Sequence, residues 1–273
     1  MSDHRTAECE IAVLGAAAID WVARVNELPR RDGIAWAEQY EPYPGGTGGN
    51  MAAALARLGK SVRFVGRLGD DEGGQILLRA FQQDGVDTSA VRVERGSRTS
   101  ACFIAVDAHG EREIYCLGGV ALYERPEALA PEWFKGLKAL IIADAYPEVA
   151  LTAIALCGEQ TRVVFTPGGL MAGLPAQQLD GLLSNVDVLI ASRPEAEKMS
   201  ACPTPEAAIA QLAARGPATI AVTLGKRGSL LWDGERLHEV PAFDPERIVD
   251  TTGAGDAFAA GLVAGMAEGM PWI

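Results

Sequence analysis

Aromatic residues are scarce in this chain, 6% of 273 residues, and histidine is scarcer, with three. His4, His109 and His238 lie far apart on segments that read as surface, so a histidine-built metal centre is not expected. No CxxC pair occurs among the five cysteines (Cys9, Cys102, Cys116, Cys157 and Cys202). Their scatter and odd number read as reduced core thiols, although Cys102 and Cys116 are spaced to face each other across a hairpin. Positive charge is in deficit: the formal net charge of −12 argues against a nonspecific grip on nucleic acid or anionic lipid. Long apolar runs are missing too. The longest uncharged apolar stretch, residues 149–158, falls well short of the roughly 20 residues that cross a bilayer. The N-terminus has no basic segment leading into an apolar run, so no signal peptide is expected. The expectation is a soluble, cytoplasmic protein with neither nucleic-acid nor membrane partners. HExxH and GxSxG are absent. Gly59-Lys60-Ser61 ends like a P-loop, but Ala54 stands where the first glycine is required and a helix precedes it.

What is present is an ordinary globular composition, 48% hydrophobic and 22% charged, in a chain long enough for one large domain over residues 1–273. Continuously apolar runs at 11–14, 62–65, 139–143, 163–165, 186–190 and 219–223 read as buried strands. Helical patterns at 50–58, 74–83, 148–156, 175–183, 194–199, 205–214 and 254–268 alternate with them. Such alternation predicts an α/β fold, a mostly parallel central sheet between two layers of helices. Two segments interrupt it. Residues 21–41 carry a strand-like pattern in which Trp36, Glu38 and Tyr40 share a face. Residues 101–117 read as a hairpin, outward over 101–107, turning at His109-Gly110 and returning over 113–117. The two segments pair into a small β lid over the site, or else extend an edge of the main sheet.

Two motifs carry chemistry. Asp250-Thr251-Thr252-Gly253-Ala254-Gly255-Asp256 runs directly into the last helix. Its glycines bare the backbone where unsatisfied N–H groups and the positive end of the helix dipole form an anion site. A carboxylate placed there, Asp256, can take a proton from a hydroxyl while the anion site stabilises a transferring phosphoryl group. The plainer reading makes Asp256 a helix-capping residue. The small face Ala257, Gly261 and Gly265 of the same helix is expected to pack closely. The second motif, Gly45-Gly46-Thr47-Gly48-Gly49-Asn50, lets backbone approach a ligand and offers the Asn50 amide to hydroxyls. Its plainer reading is a flexible loop with Asn50 as N-cap.

In this pair of motifs the sequence resembles the ribokinase (PfkB) family. The resemblance extends to Gly15–Asp20, Gly66–Gly73, Ser192–Glu197 and Thr223–Gly228, and so covers nearly the whole chain. It implies a ribokinase-like three-layer sandwich and ATP-dependent phosphorylation of a sugar or sugar-acid hydroxyl. Asp256 would be the base, and Gly253, Ala254 and Gly255 the anion hole. Asp20, Gly46 and Asn50 would hold the sugar, and Ser192, Thr223, Gly225 and Gly228 the nucleotide. Glu195 would organise Mg²⁺ through water, while Asp250 and Thr252 stand where many members bind a monovalent cation such as K⁺. Related kinases often dimerise by packing their lids together, here through residues such as Trp36 or Phe103. Three departures bear on the substrate. Ala18 replaces an asparagine that many ribose-type members carry, Ser192 replaces the asparagine of an Asn-x-x-Glu motif, and Asp144-Ala145-Tyr146-Pro147 stands where ribose enzymes often place an acid. Ribose itself is therefore not the assigned substrate. A nucleoside kinase, with Trp21, Trp36 and Tyr40 facing the pocket, and a catalytically silent sugar-binding regulator are the competing readings. At the C-terminus, Gly269 suits the end of a helix, and Pro271 opens another that stops at Ile273. The expectation is a truncated C-terminal end that leaves Leu262, Val263 or Met266 partly open.

Overall fold

The computed structural model describes residues 9–122, 124–244, 248 and 251–272. In chain order the elements are β1 (Ile11–Gly15), β2 (Ala18–Val25), β3 (Ala37–Gly45), α1 (Thr47–Arg57), β4 (Val62–Gly69) and α2 (Glu72–Asp84). Next come β5 (Val91–Glu94), β6 (Ala101–Val106), β7 (Arg112–Cys116), β8 (Ala139–Ala143), α3 (Pro147–Leu156), β9 (Arg162–Thr166), the single turn α4 (Gly168–Met171) and α5 (Ala176–Leu183). The last third supplies β10 (Val188–Ser192), α6 (Arg193–Ser200), α7 (Pro205–Ala213), β11 (Thr219–Thr223), β12 (Ser229–Trp232), β13 (Leu237–Val240) and α8 (Ala254–Ala267). Local chemistry sets several boundaries. Asp71 caps α2 by accepting from the Gly74 N–H at 3.0 Å, and Gly85 ends that helix in the left-handed region. Ser192 and Glu195 form a capping box at the start of α6.

The central sheet has nine strands in the order β13-β12-β11-β10-β9-β8-β1-β4-β5, with β12 alone running opposite to the others. Its strands are apolar on both faces because helices cover both. Along β1, Ala12 and Leu14 point into one core with α3, α5, α6 and α7, whereas Ile11 and Val13 point into the other with α1, α2 and α8. In the second core Phe64 and Phe81 meet with ring centroids 4.9 Å apart. Truncating either ring would cost about 3–5 kcal/mol.

The lid is a separate four-stranded sheet, β3-β2-β6-β7, and not an extension of the main one. It is longer than the sequence suggests: β2 starts at Ala18, directly after the first core strand, and β3 continues to Gly45. Trp36 precedes β3 and is 86% exposed, so it does not share a strand face with Glu38 and Tyr40. The hairpin of β6 and β7 matches the expected one, with Cys102 opposite Cys116. Both are free thiols, but Cys116 is exposed and Cys102 half-buried, so neither is a core thiol.

Other expectations change. α1 begins at Thr47, inside the glycine-rich motif, and β10 starts two residues later than the apolar run. The β12–β13 hairpin is short and half-exposed, which left no clear apolar run to read. The small face of α8 is not a packing face: Ala257 and Gly261 are exposed, and Gly261 has open space where a side chain would stand. Packing instead uses Ala259, Ala260, Val263 and Ala264. Val263 is therefore fully buried, while Leu262 and Met266 are half-buried. Gly269 does close α8 as expected, with φ of 75° and the Met270 N–H bonded back to the Gly265 carbonyl at 3.0 Å.

Candidate active site

Parallel strands all end on one side of the sheet, where the following turns gather polar groups. Here Asp144 follows β8, Ser192 and Thr223 end β10 and β11, and Glu195 stands in the first turn of α6, while Asp20 is carried by lid strand β2. The glycines of the first motif are closely packed. A Cβ at Gly45 would stand 2.2 Å from Asp20 Oδ2, and one at Gly46, whose φ is 82°, would stand 2.7 Å from the Ala18 nitrogen. Gly48 and Gly49 press against Ala16 and Ala17 in the same way. These glycines let α1 dock closely on the β1–β2 turn.

α8 opens on Gly253, at φ 74°. The Ala254 N–H is already bonded to the Thr251 carbonyl at 3.2 Å, and the Ala257 N–H bonds the Gly253 carbonyl at 2.8 Å. Among the described residues, the Gly255 and Asp256 N–H groups have no acceptor within the protein. An anion at this helix start would meet those two donors and the dipole, with Ala254 contributing no free donor. Asn50, 206 residues away in sequence, donates through Nδ2 to Asp256 Oδ2 at 2.7 Å. That bond fixes the carboxylate and leaves Oδ1 for a substrate.

Two cavities meet at this pair. The larger, ≈ 720 Å³, lies under the lid and is lined by Asp20, Arg24, Tyr43, Asn50, Arg112 and Gly253 among others. The smaller, ≈ 190 Å³, is lined by Thr47, Thr166, Ser192, Glu195, Thr223 and Asp256. Asp256 thus lines the smaller cleft while its partner Asn50 lines the larger chamber, so the hydrogen-bonded pair joins the two.

Electrostatics reinforce that placement. Burial raises the Asp256 pKa to about 6, against the Asn50 bond that lowers it, and Asp144, Glu195 and Asp20 add repulsion. Asp144 is likewise raised to about 6 by burial, offset by a hydrogen bond from Thr47. Asp20 is raised by burial and partly held down by the Cys102 thiol. A carboxyl with a pKa near 6 is mostly ionised at neutral pH and is a stronger base than an ordinary carboxylate, which suits it to accept a proton.

Not every expected residue joins these cavities. Gly225 and Gly228 lie on the turn beyond Thr223, outside both linings. A Cβ on Gly228 would strike the Val240 carbonyl at 2.0 Å, so this glycine is needed to close the turn onto β13. Glu195 lines the smaller cavity but spends Oε2 on the Ser192 N–H at 2.7 Å. Thr252 lines the larger one and accepts from Arg112 Nη1 at 3.0 Å. Asp250 lies outside the described residues. Trp21 and Tyr40 stack on each other at 5.2 Å on the lid face opposite Asp20, so neither lines the chamber, and Trp36 lines neither cavity. In the other direction, Asp144 is a site residue that the motifs do not assign. Its signal was positional, a carboxylate directly after a parallel strand. Its φ of 54° is rare for a residue other than glycine, and a Cβ on Gly168 would stand 2.2 Å from its Oδ1. Arg24 and Arg112 were also missed, since exposed lid arginines carry no motif.

Comparison with known proteins agrees with this geometry. A fructokinase of Klebsiella pneumoniae is 31% identical over 276 residues, covering 96% of this chain and 86% of the relative. An ATP-dependent ribose-1-phosphate kinase of Halopiger xanaduensis is 30% identical, covering 93% and 84% respectively. The solved structure of Arabidopsis thaliana ribokinase complexed with ribose and ATP superposes with a TM-score of 0.86 at 26% identity, over 96% of this chain and 87% of that one. The family model for the pfkB family carbohydrate kinases matches residues 9–273, every element described above, and the chain belongs to that family.

Proposed function

We propose that this ATP-dependent sugar kinase passes the γ-phosphoryl group directly and in line to a hydroxyl of a sugar or sugar acid, with Asp256 as general base. The observation that carries this reading is the position of Asp256 on the smaller cavity, held by Asn50 of the larger one beside two unpaired N–H groups. Asp256 accepts the hydroxyl proton as the oxygen attacks. The N–H groups of Gly255 and Asp256 then face the charge that develops on the transferring phosphoryl. Asp20 and Asn50 hold the sugar beneath the lid, with Gly46 supporting the turn that carries Asp20. Ser192, Thr223, Gly225 and Gly228 belong to the nucleotide side. Mg²⁺ would arrive with ATP, and the hard oxygen donors of Glu195 and Asp144 beside the smaller cavity fit such an ion. It would neutralise phosphate charge. For K⁺ the described residues offer Thr252, whose hydroxyl already accepts from Arg112. Dependence on that cation is therefore read from turnover in K⁺ against Na⁺.

Two observations refine the substrate class. The chamber wall carries Arg24 and Arg112, which share the lid face and register row of Val106. Cations there favour a sugar bearing an acid group over a neutral one. The aromatic residues Trp21 and Tyr40 turn away, which leaves a nucleoside base without those stacking partners. The lid's outer face carries an aromatic row, Trp21, Tyr40, Phe103 and Tyr115, with successive centroids 5.2, 6.4 and 6.3 Å apart. It supports a homodimer formed through the lid.

The test is an ADP-release assay over neutral sugars, sugar acids, sugar phosphates and nucleosides. ADP release with an acid-bearing sugar is the expected result. Turnover confined to nucleosides would replace the substrate class, and sugar binding without ADP release would make the chain a silent binding protein.

A further inference from the structure

Asp20, Cys102 and Cys116 occupy one register row across β2, β6 and β7, so their side chains share the chamber face of the lid. The Leu117 N–H donates to the Ala101 carbonyl at 2.8 Å, which makes 101 and 117 a bonded pair and leaves Cys102 and Cys116 on the adjacent non-bonded pair. Side chains come closest at such pairs, where Cα atoms are about 4.5 Å apart. That spacing falls within the range a disulfide spans. The two Sγ atoms are already 3.7 Å apart.

We propose that Cys102 and Cys116 form a reversible disulfide that weakens sugar binding through Asp20. This modification site is separate from the phosphoryl-transfer machinery, and its formation does not depend on which sugar is bound. Cys116 is exposed and meets the oxidant; Cys102 is half-buried between Cys116 and Asp20. Burial, the neighbouring thiol and the nearby carboxylates push the Cys102 pKa up to about 12, so it remains a thiol until its partner is oxidised. With a hydroperoxide as oxidant the balance is simple. The Cys116 sulfur attacks one oxygen of hydrogen peroxide as its thiol proton is given up, the O–O bond breaks, and the departing oxygen takes that proton and leaves as water, giving a sulfenic acid. Cys102 sulfur then attacks Cys116 sulfur. The S–S bond forms, the S–O bond breaks, and the Cys102 proton leaves with the second water. Two electrons pass from the sulfurs to one peroxide, and a dithiol reductant reverses the change.

The consequence for the site follows from the same row. The Cys102 thiol donates to Cys116 Sγ at 3.7 Å and lies opposite Asp20 in the same row, where it holds the Asp20 pKa down. Closing the disulfide removes that thiol proton and draws the sulfur toward Cys116. Asp20 then loses the polar neighbour that favours its carboxylate. The hairpin whose Ile104, Val106 and Arg112 line the chamber is also pinned.

The full chain is treated with hydrogen peroxide, and free thiols are alkylated before intact-mass and peptide analysis. Against untreated protein alkylated in the same way, a mass lower by two alkyl groups, with a peptide linking Cys102 to Cys116 and alkylation retained at Cys9, Cys157 and Cys202, is the expected result. Dithiothreitol restores the original mass. The oxidised form should show a sugar KM raised about threefold to tenfold, as expected when one polar contact of ordinary hydrogen-bond strength is lost, with the ATP KM unchanged. Cys116→Ser should keep the parent sugar KM before and after oxidant. Alkylation persisting at both residues, or Cys116 passing to sulfinic acid without a cross-link, overturns the site. A complete cross-link with an unmoved sugar KM overturns its effect on binding. The mass readout needs no turnover, so it stands even where no sugar in the assay is phosphorylated.

Discussion

The proposed chemistry concentrates in one side chain, Asp256. Asp256→Asn retains the shape and the neighbouring dipoles but has no basic oxygen pair, so kcat should fall by about 10²–10⁴ while the fold persists. In the parent, kcat should also fall as pH drops through about 6, where this carboxyl takes up its proton. The same shift has a cost in stability. Asp144 and Asp256 titrate near 6 when folded and near 3.9 when unfolded. Each therefore binds its proton more tightly in the native state. Their contribution is full below about pH 4 and is lost as pH rises through 6, at up to about 1.4 kcal/mol per pH unit for each group. The ligand-free protein should melt lower at about pH 7.5 than at about pH 5, and Asp256→Asn should flatten that slope and melt above the parent at the higher pH. Melting curves without nucleotide or Mg²⁺ check this. Asp20→Ala should raise the sugar KM by the equivalent of about 1.5–3 kcal/mol and leave the ATP KM in place. A rise confined to ATP would reverse the assignment of the two cavities.

At the scale of elements, the junction between β1, β2 and α1 is tightly constrained. Gly46 has φ of 82° and no room for a Cβ beside the Ala18 nitrogen. Gly46→Ala should cost about 1–3 kcal/mol and tilt α1, so that Asn50 loses its grip on Asp256. Thermal unfolding and kcat should fall together, whereas Gly261→Ala, on the open face of α8, should leave kcat unchanged and raise stability by about 0.4–1 kcal/mol. The lid makes a separate prediction. Arg112→Ala removes a charge-assisted hydrogen bond to the acid group, so it should raise the KM of an acid-bearing sugar at least about tenfold. The KM of the neutral counterpart should barely change. Equal effects on both would mean that Arg112 only ties the lid to Thr252.

For the whole molecule, the proposed dimer rests on the outer face of the lid. In its aromatic row Tyr115 is 53% exposed and Tyr40 55% exposed, while Trp21 and Phe103 are half-buried, an arrangement suited to burial of the two tyrosines against a second copy. Light scattering at micromolar concentration should give a dimer, and Tyr115→Arg should give a monomer that retains its core. A monomeric parent would remove the lid from the interface.

The α/β layering, most core strands and both motifs follow from the sequence by itself. Continuous apolar runs such as residues 139–143 suit only a sheet covered on both faces. A glycine-rich start followed by Asp256 has the same local meaning in any context. Tertiary structure decided what depends on partners distant in the chain. Periodicity could not show that Asp144 would be buried among carboxylates, that Trp21 would turn from the chamber, or that the glycines before Asn50 would meet Ala16–Ala18. Nor could it place the α8 packing face, because small residues ring that helix and only its packing against α1 and the sheet selects Ala259, Ala260 and Val263. Burial and proximity set those roles, and both are properties of the folded chain.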